Sequence, residues 1–502
     1  MTECHSVPVS RTRRASWLPV VVILLGAAAS LLLALVSVVE AARVPSMLPL
    51  GQWIERAQGN TGVQLTYNLR IWGVVVLVAC WLLILRGATL RRHWVAFIAW
   101  TLPQLLALTG DLFNYVEQGW VVLQGADPTV TPAASLPGPF AGWTGAWEGT
   151  TVGYPAGALL ISAAIVLIAG ADPALSLLLM HVPAVLGVVI AGLCLPTIAR
   201  AVGVSSPALF GFVILNPVTI LELCGAAHND ALALGLAVAS IWAAVKLRNH
   251  PLLVQVACAG ILLALAATVK PQAIAFAALL PQFGLLLGVR GNFFKRPAKD
   301  YLAGFTVAIL AIAGLAFVGP LSGVGREFLS ATGSPGYRSS APLQVMRIAL
   351  ETALGERFSS SFIGANFDTI ALAFAVVATA LVLFLARVTQ PATMLTVFLI
   401  AVLIMGPAFR PWYAVWILVP LALAPIGPRI KVPTLAVVLT LALAAKNPQA
   451  VYLLNEGFAL VLAAAIGAVT VYATRFEAAR QLDPFEPATP ASDRPAVSVR
   501  SN

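Results

Sequence analysis

From residue 17 to residue 473 the chain is built of long apolar runs joined by short polar connections. A helix crossing hydrocarbon needs about 20 mostly apolar residues, and all its backbone polar groups must be satisfied within it. About fourteen runs approach that length. They lie near 17–39, 69–86, 94–110, 174–199, 206–224, 229–247, 252–268, 271–289, 301–320, 365–387, 391–408, 411–427, 432–446 and 451–473. A further run, 154–170, is ambiguous. Hydrophobic residues make up 60% of the chain and charged residues 10%, with a mean hydropathy of +0.91. That is too little charge to cover a soluble surface of this size. The expected fold is an all-α polytopic membrane protein.

Lysine and arginine set its orientation. With 154–170 left out of the count, both termini are cytoplasmic, and about two thirds of the 30 lysines and arginines fall on that side. If 154–170 crossed, every later connection would flip and the excess would reverse. It is therefore expected to lie along the outer surface or in the interface. The net charge of +10 is spread over short loops, which reads as orientation bias and not as nucleic-acid binding. The run 17–39 follows Arg11, Arg13 and Arg14 but is too long for a cleaved signal, so it reads as a retained anchor. Cys80, Cys194, Cys224 and Cys258 lie inside apolar runs and Cys4 lies in the N-terminal tail. No disulfide framework or metal spacing emerges, and neither metal nor cofactor is expected.

This topology delivers scarce polar clusters to one outer face. Asp111-Leu112-Phe113-Asn114-Tyr115, His228-Asn229-Asp230, Lys270-Pro271-Gln272 and Arg410-Pro411-Trp412-Tyr413 each sit where an apolar run ends. Ionisable groups at such depth are costly unless paired, hydrated or used, so a function is the default reading. Each has a plainer alternative. Asn229 and Asp230 are good helix caps, Lys270 can snorkel to the interface, and Trp412 with Tyr413 suits an aromatic belt. Glu117 and Gln118 lie on a helical continuation of Asp111 and suit hydrogen bonding to sugar hydroxyls. Glu148 and Tyr154 are candidate acceptor contacts. His228 has no second ligand at metal spacing. Glu222, inside an apolar run, pairs within the bundle or lines a cavity.

An outward site of carboxylate, cations and aromatics suits sugar transfer from a lipid phosphate, since nucleotide sugars are scarce outside the membrane. Such transfer needs a base for the acceptor hydroxyl. It also needs cations for the departing phosphate. A transporter or lipid-linked sugar flippase is the rival class. It is disfavoured by the lack of an internal repeat and by polar clusters gathered at one interface.

Asp111-Leu-Phe-Asn-Tyr-Val-Glu-Gln-Gly, Gly125-Ala126-Asp127-Pro128, Gly153-Tyr154-Pro155, Leu215-Asn216-Pro217, Gly225-Ala226-Ala227-His228-Asn229-Asp230 and Val269-Lys270-Pro271 follow one another over roughly 94–290. In that order they resemble the actinobacterial polyprenyl-phosphomannose-dependent α-(1→6)-mannopyranosyltransferases (Mpt type), members of the GT-C glycosyltransferases. The resemblance implies a GT-C bundle with its catalytic acid in the first outer loop, matched by Asp111, and a juxtamembrane helix after it. It also implies a polyprenyl-phosphate mannose donor and a mannosylated phosphatidylinositol or related mannolipid acceptor of the lipomannan and lipoarabinomannan core. An arabinose donor is the near alternative. The family more often has glutamate where Asp230 stands. On this reading 1–16 is a cytoplasmic tail, 17–93 two extra helices, and 94–320 the GT-C module with outer loop 111–153 and juxtamembrane helix 154–170. A second outer loop, 321–364, precedes C-terminal helices at 365–473 and a disordered cytoplasmic tail at 474–502. The enzyme would sit in the plasma (inner) membrane with Asp111 as base. Lys270 and Arg410 would hold the donor phosphate on the extracytoplasmic face.

Overall fold

The computed structural model describes residues 18–41, 49–85, 89–144, 147–151, 154–280, most of 346–385, 391–405, 410–424 and a few residues up to 438. Helix α1 (Leu18–Ala41) packs along α2 (Pro49–Leu85). The latter begins well before the apolar run at 69, because helix formation does not require the apolar character that a hydropathy window detects. Both N-terminal helices are tied to the rest by side chains that satisfy polar groups inside an apolar setting, the usual glue between membrane helices. Ser30 Oγ donates to the Trp100 carbonyl at 2.5 Å, and the Trp100 indole donates to the Ile23 carbonyl at 2.9 Å. The Gln104 amide donates to the Ser30 carbonyl at 2.7 Å, and the Trp81 indole to the Gly211 carbonyl at 2.7 Å.

Two of the expected spans are not single helices. The run 94–110 forms α3 (Leu90–Thr101), then a 3-10 turn (Leu102–Leu106) opened by Pro103. Proline removes one helical hydrogen bond and crowds the preceding turn, so regular α-helical winding stops there and the tighter 3-10 turn takes over. Thr109 then takes an extended conformation, and its hydroxyl accepts from Leu112 N at 3.2 Å, capping a new helix, α4 (Gly110–Leu123). The chain bends by 67° across this break. Asp111 is thus in the first turn of a fresh helix, at its positive end.

The run 206–224 is also interrupted. Helix α7 (Ser206–Val213) stops before Asn216-Pro217, where Asn216 Oδ1 accepts from Val218 N at 2.8 Å. A π-helical turn (Thr219–Gly225) follows, and the chain then turns by 109° into α8 (Asp230–Lys246). Ala227 carries the turn with a φ of +51°, a conformation uncommon for non-glycine residues and enriched at functional sites.

Between the breaks lie α5 (Ala156–Ile168) and α6 (Pro173–Val202). Asp172 caps α6 by accepting from Leu175 N, and Gly203 ends it with φ +75°. Helices α6 and α8 touch backbone to backbone. A Cβ on Gly187 would strike Ala231 and Leu232, and one on Gly235 would strike Gly187. Helix α9 (Leu252–Val269) runs into a 3-10 helix (Pro271–Leu279) with Pro271 at its start. Then come α10 (Phe367–Leu385), α11 (Pro391–Met405), a 3-10 turn (Pro411–Tyr413) and α12 (Ala414–Leu423).

Among the described residues the architecture is all-helical, with three stretches long and apolar enough to cross a membrane: Leu18–Ala41, Asn68–Leu85 and Pro173–Val202. The number is five if each bent pair crosses as one. The expected fourteen are therefore not reached among these residues. The runs 301–320 and 451–473, nearly all of 432–446, residues 281–289 and 321–345, and both expected tails lie outside them. Helix α5 has 13 residues. At 1.5 Å per residue that is about 20 Å, less than the roughly 30 Å of hydrocarbon.

Candidate active site

The two breaks, the end of α9 and the start of α12 converge. On α4, Asp111 and Tyr115 are four residues apart and share a face. The turn before α8 brings His228 beneath them: its Nε2 lies 3.9 Å from Asp111 Oδ2 and 3.9 Å from Glu222 Oε2 on the π turn. Its Nδ1 pairs with the Tyr115 hydroxyl at 2.9 Å, and Tyr115 meets the Tyr154 hydroxyl at 3.4 Å. The imidazole stacks on Trp412, with ring centroids 3.6 Å apart. Burial raises the Tyr154 phenol above its usual range, with the Lys270 charge opposing, so it remains a hydrogen-bond donor at neutral pH.

Three further charged groups complete the cluster. Asp230, at the first position of α8, is wholly buried; its Oδ1 accepts from the Trp416 indole at 2.7 Å and its Oδ2 pairs with Lys270 Nζ at 3.0 Å. Lys270 Nζ also lies 5.0 Å from the Tyr154 ring centroid and 5.6 Å from that of Tyr413. Arg410 is held between Trp147 of the first loop, at 5.2 Å, and Trp412, at 5.8 Å. The Arg410 and Lys270 cations and the Glu222 anion all act electrostatically on Asp111. Asp111 is half-buried, with 18% of its side chain open, and is the most open of these charged groups, whereas His228, Lys270 and Arg410 are buried.

The structure thus brings together Asp111, Tyr154, His228, Asp230, Lys270, Arg410, Trp412 and Tyr413. Capping does not explain the 229–230 pair: Asn229 stands at the cap position, but its side chain makes no cap hydrogen bond. Asn229 is half-buried beside the cluster. Glu117 is engaged elsewhere. Its Oε2 accepts from Gly138 N at 2.8 Å and its Oε1 from Phe140 N, so it latches the loop onto α4, and Phe113, Phe140 and Trp143 fill that junction. That double latch uses the carboxylate that the sequence pattern offers to a sugar. Gln118 is buried within α4, and Glu148 lies in the loop, its carbonyl accepting from Ala134 N. Neither makes a described contact with the cluster.

Sequence reasoning passes over Tyr115, Trp147 and Trp416 as site members and leaves Glu222 undecided. Only the spacing of Tyr115 from Asp111 signals its place; Trp416 reads as one more apolar residue of its run. Among the described residues no group of three or more histidine, cysteine, aspartate or glutamate side chains is placed to hold a metal ion.

Residues 23–287 match the family described as alpha-(1->6)-mannopyranosyltransferase, N-terminal domain, and residues 345–476 match the MptB C-terminal domain. The chain is 27% identical over 364 residues to alpha-(1->6)-mannopyranosyltransferase B of Corynebacterium glutamicum, covering 66% of this chain and 58% of that protein. It is 26% identical to alpha-(1->6)-mannopyranosyltransferase A of Mycobacterium tuberculosis, over 53% of this chain and 52% of that one. A probable alpha-(1->6)-mannopyranosyltransferase of Mycolicibacterium smegmatis is 25% identical over 84% of this chain and 82% of its own length. In the first two, the match spans little more than half of the relative. No solved structure matches the chain. With more than half of its length under one family description, the chain belongs to the alpha-(1->6)-mannopyranosyltransferase family.

Proposed function

We propose that this protein is an inverting membrane mannosyltransferase that moves mannose from polyprenyl-phosphate β-mannose to the 6-hydroxyl of a mannolipid acceptor. Asp111 takes the proton of that hydroxyl as the acceptor oxygen attacks C1. The bond from C1 to the phosphate oxygen breaks, and polyprenyl phosphate leaves with the electron pair. Arg410 and Lys270 stabilise the charge developing on that phosphate. Tyr154 and Tyr413 offer hydroxyls and ring edges to the sugars, and Trp412 backs the site from beneath His228 and Arg410. The acceptor class is a mannosylated phosphatidylinositol or related lipid on the way to lipomannan and lipoarabinomannan. The work is done on the extracytoplasmic face of the plasma membrane, with α5 along its surface.

The observation that carries this reading is a single partly open carboxylate, Asp111, at the mouth of a buried cluster holding two cations. A base must reach water-soluble hydroxyls, whereas phosphate-binding charges act more strongly when desolvated. The family membership supports mannose as the sugar. The test is transfer by membranes containing the protein from radiolabelled polyprenyl-phosphate mannose to a short α-mannoside. Labelled product with a new α-(1→6) bond is expected. Transfer from polyprenyl-phosphate arabinose, or movement of the intact donor across vesicles with no new glycosidic bond, would replace this reading.

A further inference from the structure

Asp230 is, with Asp111 and Glu222, one of three acidic residues of the cluster and a natural alternative base, yet its surroundings deny it that work. It is fully buried, and each carboxylate oxygen already faces a partner: the Trp416 indole at 2.7 Å and Lys270 Nζ at 3.0 Å. A base must approach a substrate hydroxyl directly or through one water. An oxygen held by an ammonium on one side and an indole on the other, with no exposed surface, has no such approach.

The same geometry gives Asp230 a different role. Lys270 has a long flexible stem whose charge can occupy many positions. Three elements confine it here. Asp230 at the start of α8 draws it from one side, Tyr154 lies before α5, and Tyr413 lies before α12. Asp230 is itself fixed by Trp416, whose ring packs edge-on against Phe276 of the 3-10 helix that follows Lys270. The chain from Phe276 through Trp416 and Asp230 returns to Lys270, so the lysine's own helix helps to aim it.

We propose that Asp230 and Trp416 are positioning residues that hold the Lys270 ammonium in place for the donor phosphate and touch neither donor nor acceptor. This inference rests on the reading of Lys270 as a phosphate-binding group. Asp111 and Asp230 then divide the work, with Asp111 meeting substrate and Asp230 acting only through a cation.

The experiment is kinetic, on purified full-length variants with polyprenyl-phosphate mannose and a short α-mannoside as the probes. Asp230→Asn keeps size and an oxygen for Trp416 but loses the charge, and it should raise the donor KM about tenfold. The acceptor KM should stay within roughly twofold. Trp416→Phe should move the donor KM in the same direction and less far. The deciding measurement is epistasis: in a Lys270→Met background, Asp230→Asn should change the donor KM no further, because the residue through which it acts is gone. A rise in acceptor KM, additive effects in the double variant, or an unchanged donor KM in Asp230→Asn while Lys270→Met raises it would each overturn the inference alone. If Lys270→Met itself leaves the donor KM unchanged, the phosphate reading falls and takes the inference with it. Should Asp230→Asn fail to fold, Trp416→Phe measured with and without Lys270→Met supplies the same comparison, since its effect must also vanish when the lysine is absent.

Discussion

The imidazole of His228 lies face to face with the indole of Trp412, their centroids 3.6 Å apart and their planes inclined by 28°. One ring comes from the tight turn before α8 and the other from the segment leading into α12, so a single stack fastens both halves of the candidate site. It also orients the histidine: with one face covered and Nδ1 paired with Tyr115, Nε2 is left directed at Asp111 and Glu222. We predict that Trp412→Phe, which keeps a flat ring, retains most activity. Trp412→Ala should lose at least about tenfold and lower the melting temperature, since removing a buried tryptophan costs about 3–5 kcal/mol. Equal activity in the two variants, measured on purified protein, would leave the stack without a part in catalysis.

Asp111→Asn preserves shape and hydrogen bonding while removing the proton acceptor. Losing a general base costs about 10²–10⁴ in rate, and a fall in kcat of that order is expected with unchanged thermal stability. Turnover within a few-fold of the parent would mean that another group, such as Glu148, takes the proton.

Lys270→Met and Arg410→Met each keep an apolar stem and delete a charge. Hydrogen bonds to charged groups are worth about 1.5–3 kcal/mol, so donor use should weaken about ten- to a hundredfold while acceptor affinity holds. Donor and acceptor titrations with stability matched across variants decide this. Loss of stability with intact donor kinetics would assign both cations to structure alone.

Sidedness is tested by labelling. In a background lacking all five cysteines, Ser135→Cys and Ala141→Cys, both exposed in the first loop, should react with an impermeant maleimide on intact cells. Arg92→Cys and Asn249→Cys, exposed at the opposite ends of α3 and α8, should react only after permeabilisation. The reverse pattern would put the candidate site on the cytoplasmic side and remove polyprenyl-phosphate mannose as its donor.

Gly235→Leu should be among the most damaging substitutions outside the site. Its side chain would enter the backbone of α6 at Gly187. Overpacking of this kind costs about 1–3 kcal/mol or more, seen as a lower melting temperature in detergent. Gly149→Leu, where a Cβ meets nothing, should leave the melting temperature unchanged.

The sequence makes some of this legible and hides the rest for identifiable reasons. Asp111, Lys270 and Arg410 stand out because charges are scarce in apolar surroundings, and α8 and α9 begin and end close to where hydropathy marks them. Hydropathy over about 20 residues reports partition between water and lipid and not winding. It therefore merges α3 with its 3-10 turn, and α7 with the π turn, into single spans, although Pro103 and Asn216-Pro217 mark both breaks. Glu117 looks like a sugar ligand because its partners are backbone N–H groups of Gly138 and Phe140, which no side-chain pattern announces. Trp416 stays hidden because a buried indole donor matters only once its distant acceptor, Asp230, is known.

The contact between Gly187 and Gly235 bears on how the protein answers its lipid surroundings. With no side chains between them at that point, α6 and α8 cannot slide past each other without backbone collision. Bilayers differ in thickness by several ångströms, and helices commonly respond by tilting. Here the two helices must tilt together as one strut. A thicker or thinner bilayer then leaves the start of α8, and with it Asp230, in register with α6, and the adjustment falls on helices not bound by such a seam.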